Sequence, residues 1–223
     1  MKRTVYNVIL YIGGLFLLGA GVSFMLKSGL GVSSWDALVA NLVIGLDGSY
    51  RIVNSIFSLI VSIIANLIQK NKFSIKYILP CVISYFIGFI IDIFTNILPE
   101  PSTQVLSLTY FIVAFNLIAI GLNIVTIKNY VIPAIDELCR SISALMKSSF
   151  ANGKFVGEIF ALMLSIFVGL AFDLSNDSNF FMALRAYHIG VGTIVYTLLV
   201  GMMISLYEFI FIKLHIKEAK NAN

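Results

Sequence analysis

The sequence predicts an all-α membrane protein, with six transmembrane helices arranged as an inverted 3+3 repeat and two short re-entrant or interfacial helices. Three observations carry this expectation. The chain has 223 residues, of which 59% are hydrophobic and 12% charged. An ordinary soluble domain is about 45–50% apolar and about 25% charged. The apolar residues fall into six long runs, and the two halves of the chain resemble each other in order.

The composition leaves too little polar surface to cover a water-soluble core. It excludes a soluble enzyme, a nucleic-acid-binding domain and a disordered chain. The net charge of +4 is no nucleic-acid signal, because the basic residues sit in short loops beside apolar runs. Cys81 and Cys139 share no framework spacing and read as free thiols. Lys2 and Arg3 before an apolar run look like a signal peptide. The run is too long for one and lacks a small-x-small cleavage site, so a retained first helix is expected.

The six runs cover 5–26, 52–68, 77–98, 106–127, 155–172 and 189–212. Each can cross a hydrocarbon core of ~30 Å at 1.5 Å per residue. A backbone in lipid must satisfy its own hydrogen bonds, so the runs are helices. No alternating ten-residue pattern suggests a barrel. With the N-terminus inside, the inner segments hold Lys2, Arg3, Lys70, Lys72, Lys76, Lys128, Arg140, Lys147, Lys154, Lys213, Lys217 and Lys220. The outer segments hold Lys27, Arg51 and Arg185. The positive-inside rule then puts both termini in the cytoplasm of a bacterial inner membrane.

The repeat divides the chain into 1–100 and 101–223. At an offset of 100, Ile12, Leu17, Gly21, Asp36 and Leu38 match Ile112, Leu117, Gly121, Asp136 and Leu138. At 103, Val53, Ile56, Phe57, Leu59, Ser62, Ile63 and Leu67 match Val156, Ile159, Phe160, Leu162, Ser165, Ile166 and Leu170. At 113, Gly88, Ile91 and Ile97 match Gly201, Ile204 and Ile210. Three spans per repeat force the second copy to enter from the opposite side, an arrangement found in many transporters.

Between the first two spans of each repeat lies a segment too apolar for a loop and too short to cross. These segments, about 30–46 and 131–148, read as short helices that re-enter the membrane or lie in its interface. Ser33 or Ser34 is a plausible N-cap, and Pro133 suits a first helical turn. Asp36 and Asp136 then fall in first turns. There they either complement the helix dipole or face a shared central path from opposite repeats.

The stretch Gly29–Leu38, GLGVSSWDAL, resembles the signature of the YczE/YyaS/YitT-like bacterial membrane proteins. Lys154-x-x-x-Glu158 is similar to the motif that opens their fifth helix. Gly190-Val191-Gly192-Thr193, followed by Gly201, is similar to a run in their last helix. Ser34 and Met202 stand where a proline is common in that family. The resemblance implies a polytopic inner-membrane protein with a transport role and no established substrate.

Polar residues recur at helical spacing: Arg51, Ser55, Ser58, Ser62, Asn66 and Gln69 on the second span, and Tyr77, Cys81, Ser84, Gly88, Asp92 and Thr95 on the third. Thr109, Asn116 and Asn123 mark the fourth, and Gly190, Thr197, Gly201, Ser205 and Glu208 the last. Such stripes face the bundle interior. Small and hydroxylated positions can serve close packing alone. Carboxylates cost ~2.5–3.5 kcal/mol at a helix centre and usually have a partner or a task. Asp92 lies roughly 9 Å from the outer end of its span at 1.5 Å per residue. Glu158 and Glu208 lie nearer the inner surface, where Lys154 and Lys213 offer partners. Trp35 is an interfacial anchor by default and a ligand contact by its place beside Asp36. Asp173, Asp177, Arg185 and His188 gather in the outer loop before the last span, and His215 sits in the basic tail.

Trp35, Asp36, Asp92, Asn116, Asp136 and Glu158 are therefore the expected substrate- or ion-binding residues. No catalytic motif, metal site or cofactor is expected. The expected function is a small secondary transporter of a small molecule, with lipids around it. A substrate-binding subunit of an energy-coupling-factor-type uptake complex is the alternative, as is a non-transporting accessory protein. A second copy or an energising subunit remains open as a partner.

Overall fold

The computed structural model describes residues 2–69, 78–126, 131–175 and 179–213. Lys70, Lys72, Lys76, Tyr77, Lys128, Asp177, His215, Lys217 and Lys220 lie outside the described residues. Among those described, the chain is helical without strands: α1 (Lys2–Ser28), α2 (Ser34–Gly45), α3 (Tyr50–Ile68), α4 (Leu79–Ile97), α5 (Gln104–Thr126), α6 (Ala134–Leu145), α7 (Phe150–Ala171), α8 (Phe180–Ala186) and α9 (Val191–Lys213). Six of these, α1, α3, α4, α5, α7 and α9, are long and apolar enough to cross a membrane. The short α2 is apolar as well, and α6, also of 12 residues, shares its length. The seven-residue α8 breaks up what the sequence suggested was a loop.

The long helices are built inside out, as lipid requires. On α3, Ser58, Ser62 and Asn66 are buried while Ile52, Ile56, Ile63 and Leu67 are exposed. Asn54 Nδ2 donates to the Ser84 carbonyl of α4 at 3.0 Å, and the Ser55 hydroxyl meets Cys81. Asn123 does the same service between α5 and α9, donating to the Ile204 carbonyl at 3.0 Å. Ser205 on α9 and Thr109 on α5 instead face outward, each donating to the carbonyl one turn back.

Helices α1 and α5 cross at the centre through small residues. A Cβ on Gly21 would stand 3.1 Å from the Ala114 carbonyl oxygen and press on Ile118. A Cβ on Gly121 would stand 2.8 Å from the Gly14 carbonyl oxygen and press on Leu18. At an offset of 100 these two neighbourhoods are the same one written twice. The other pairings are matched too. Helix α2 packs on α7 as α6 packs on α3, α3 on α4 as α7 on α9, and α1 on α4 as α5 on α9.

Two turns repeat in the same way. After α2 the chain reverses at Asp47 (φ 48°), with Gly48 N–H donating to the Val43 carbonyl and Asp47 N–H to that of Ile44. After α6 it reverses at Lys147 (φ 50°), with Ser148 N–H donating to Ser143 and Lys147 N–H to Ala144. Both are Schellman closures with a non-glycine residue in the left-handed position. Ser49 and Ser149 then precede α3 and α7.

These turns fix the correspondence of α3 and α7 at an offset of 100, not the 103 favoured by the sequence match. Gly88 abuts Arg51 and Gly201 abuts Ala151, which again is 100. Three residues is nearly one helical turn. A slip of that size leaves each residue on nearly its old face, so the sequence match survives it. The structural counterparts of Lys154 and Glu158 are thus Asn54 and Ser58.

Candidate functional site

The segment between α1 and α2 is irregular, and its last residues, Gly31, Val32 and Ser33, are buried. Irregular backbone at this depth must be held by protein. Gly29 and Gly31 have φ of 66° and 106°. Gly31 lies so close to Gly190 that a Cβ would come within 2.6 Å of its nitrogen. Gly192 N–H donates to the Leu30 carbonyl at 2.8 Å, and Val32 N–H to that of His188 at 3.1 Å. Beside this crossing lies a water-sized cleft of about 30 Å³, lined by Gly29, Gly31, Arg185 and His188 among others. Burial holds the His188 imidazole below its ordinary value.

The crossing delivers the start of α2 to the middle of α7. Ser34 N–H donates to Glu158 Oε2 at 2.9 Å, roughly 12 Å along α7 from its first residue at 1.5 Å per residue. From there α2 runs beside α7 toward the C-terminal end of that helix. Asn41 Nδ2 donates to the Ser165 carbonyl and hydroxyl at 3.0 Å each, and Gly45 abuts Phe172. Ser33 is the N-cap, its hydroxyl accepting from Asp36 N–H at 3.1 Å. Pro133 takes the equivalent N-cap position of α6, one residue before the helix.

Helix α6 folds back on α7 through the turn at Lys147, with Gly153 against the Cys139 carbonyl. Its first turn brings Asp136 to Lys154, whose Nζ stands 2.8 Å from Asp136 Oδ1. The same ammonium lies 3.7 Å from Glu158 Oε1. The N-terminal turns of both short helices therefore end on one stretch of α7, from Lys154 to Glu158. Asp36 completes the group. It takes the Tyr50 hydroxyl at 3.3 Å, pairs with the Ser33 hydroxyl at 2.5 Å, and feels the charges of Lys154 and Asp136. Tyr196, Cys139 and Thr197 close around it, with the Thr197 hydroxyl 3.4 Å from that of Ser34.

Of the sequence-expected residues, Asp36, Asp136, Glu158 and Trp35 come together here. Trp35 is no interfacial anchor: it is 3% exposed and packs on Phe57 with its indole nitrogen beside Gly157. Asp92 lies beside the group and is linked to it through Tyr50, whose hydroxyl reaches Asp36. Its carboxylate accepts the N–H groups of Tyr50 at 3.0 Å and Arg51 at 3.3 Å, capping α3, and pairs with the Arg51 guanidinium. Asn116 lies apart on α5, bonded to the Ile112 carbonyl and the Tyr207 hydroxyl. Sequence reasoning missed Lys154 as a site residue, although its spacing to Glu158 was seen. It also missed Tyr50 and Tyr196, which gave no signal beyond an aromatic in an apolar run.

Two atoms at the centre have no hydrogen-bond partner, Glu158 Oε1 and Trp35 Nε1. Among the described residues, no group of three or more His, Cys, Asp and Glu side chains could hold a metal ion.

The fold and this charged centre define a multi-pass helical membrane protein. The chain belongs to the family described as a family of unknown function (DUF6198), whose model matches residues 5–209. No curated protein and no solved structure matches it.

Proposed function

We propose that the protein is a small secondary transporter of the cell membrane, with both termini cytoplasmic and an occluded central site at Lys154–Glu158. One observation carries the reading: two buried carboxylates, a half-buried third and a buried ammonium gather where the N-termini of two short helices, one from each half, converge. Ionisable groups at this depth are costly and are retained for substrates, ions or proton relays. Broken helices that end at mid-depth, drawn from the two halves of an inverted repeat, are the usual frame of a transporter site. The matched contacts of α1 with α5, α2 with α7 and α3 with α6 support a two-fold axis through that site.

The resemblance to the YczE/YyaS/YitT-like proteins belongs to the same reading. Its three motifs are distant in sequence and meet at one place, Gly31 on Gly190 and Ser34 on Glu158. Alternating access requires Ser34 to be reachable from each face of the membrane in turn. In a variant with Cys81 and Cys139 replaced by alanine, Ser34→Cys in proteoliposomes should react with an impermeant thiol reagent added on either side. Reaction from one side alone, or from neither, overturns the transport reading.

A further inference from the structure

The central site holds more acids than bases, and two of its buried polar atoms lack a partner. Asp36, Asp136 and Glu158 are three acids around one base, Lys154. The N-termini of α2 and α6 each add roughly half a positive charge. Counted with all three carboxyls ionised, about one negative charge remains uncompensated, in a place where an unpaired charge is expensive and is met by a proton or by a cationic partner. The convergence of two helix N-termini would by itself favour an anion, but the protein's own carboxylates already occupy both.

The unpaired atoms say where the missing partner sits. Glu158 is 0% exposed, yet Oε1 accepts no hydrogen bond: Lys154 Nζ, bonded to Asp136 at 2.8 Å, stands 3.7 Å away, beyond hydrogen-bond reach. A water would satisfy that oxygen without supplying charge. A primary ammonium supplies both, since it carries one positive charge and three donors. Lys154 already shows that such a group fits against Asp136 here. The second orphan is of opposite kind. Trp35 Nε1 is a buried donor without an acceptor, beside Gly157, the residue before Glu158. A ligand that satisfies both presents an ammonium to Glu158 and an acceptor atom to Trp35.

We propose that the central site binds a small primary amine bearing a hydrogen-bond acceptor, with Glu158 as its counter-ion, while Lys154 stays paired with Asp136. This rests on the transporter reading for its biological use, but the binding stands on the site alone.

Trp35 is the single tryptophan of the chain, so its fluorescence reports the site directly. The purified protein is titrated with ethanolamine, ethylamine, choline and acetate at constant ionic strength and neutral pH. Ethanolamine should give a saturable change, ethylamine a weaker one, and choline, which has no N–H donor, none. Glu158→Gln should weaken ethanolamine by about tenfold or more, the size of a lost charge-assisted hydrogen bond. As a second readout, Lys154→Ala should gain thermal stability from propylamine and not from sodium or choline. A response to acetate or choline equal to that of ethanolamine overturns the proposal, as does no saturable response to any amine. Amine binding with one-sided labelling of Ser34→Cys would spare this inference and remove the transport reading. Two-sided labelling with an anion-selective response would do the reverse.

Discussion

Glu158 on α7 accepts the backbone N–H of Ser34 at 2.9 Å, across 124 residues of sequence. The carboxylate ties the first turn of α2 to the long helix it runs beside, and thereby positions Asp36. An acid at a helix N-terminus satisfies one of the donors that no intrahelical carbonyl can reach. Glu158→Ala removes this acceptor and leaves Ser34 N–H buried, at a cost of about 1–3 kcal/mol. Glu158→Gln keeps an acceptor and should melt between wild type and Glu158→Ala. Melting of the purified variants decides it. Equal melting of Gln and Ala would mean that the charge, not the acceptor, holds α2.

The Lys154–Asp136 pair is buried, whereas Lys27–Glu100 joins α1 to an exposed carboxylate. Breaking a buried pair from one side costs about 3–5 kcal/mol because the other charge is stranded. An exposed pair is worth about 0–1 kcal/mol. Lys154→Met should therefore be strongly destabilising, and Asp136→Asn added to it should recover part of the loss. Lys27→Ala with Glu100→Ala should show almost no coupling. Double-mutant cycles on melting temperature measure both. A coupling at Lys154–Asp136 no larger than at Lys27–Glu100 would contradict the burial argument.

Much of the architecture was legible, because lipid imposes one rule on every span: apolar outside, polar inside, backbone satisfied within the helix. The six spans follow from that rule with ends shifted by a few residues. The largest shift is at α7, which starts at Phe150 and not near 155, because Ser149 caps it. The pairing of Asp36 with Asp136 could be read from their equal places in the repeat. Their gathering around Lys154 could not. A lysine near a predicted helix start reads as a surface residue, and only the return of α6 onto α7 buries it. Asp92 misled for a related reason. Its depth made it look costly, but two backbone donors of α3 and the Arg51 side chain satisfy it.

Asp92 therefore bears first on folding. Asp92→Asn keeps one acceptor for Tyr50 and Arg51 but loses the charge that suits a helix N-terminus. It should cost about 0.5–2 kcal/mol, the range for a lost cap. Tyr50→Phe removes only the hydroxyl bond to Asp36. It should leave the α3 cap intact while altering ethanolamine binding. Melting and the Trp35 titration, run on both variants, separate the two roles. A binding loss in Asp92→Asn as deep as in Glu158→Gln, with melting unchanged, would return Asp92 to the site.

The turn residues Asp47 and Lys147 offer a test of the repeat that needs no substrate. Both are exposed, both sit at a left-handed φ near 50°, and both follow a short helix that starts at the central site. Helix α2 runs from that site beside α7 to the far end of α7 at Phe172, while α6 returns along the near end of α7 at Gly153. The two turns thus lie at opposite ends of α7, a helix long enough to cross the membrane. An inverted repeat puts Asp47 outside and Lys147 inside. A repeat related by an axis along the membrane normal would put both on one side. With Cys81 and Cys139 replaced by alanine, Asp47→Cys in intact cells should react with an impermeant thiol reagent. Lys147→Cys should react only after the membrane is opened. Glycine at either turn is the control for strain, because it takes this φ without the cost of a Cβ and should not lower the melting temperature. Labelling of both cysteines from the same side would reject the inversion and, with it, the shared two-fold site between α2 and α6.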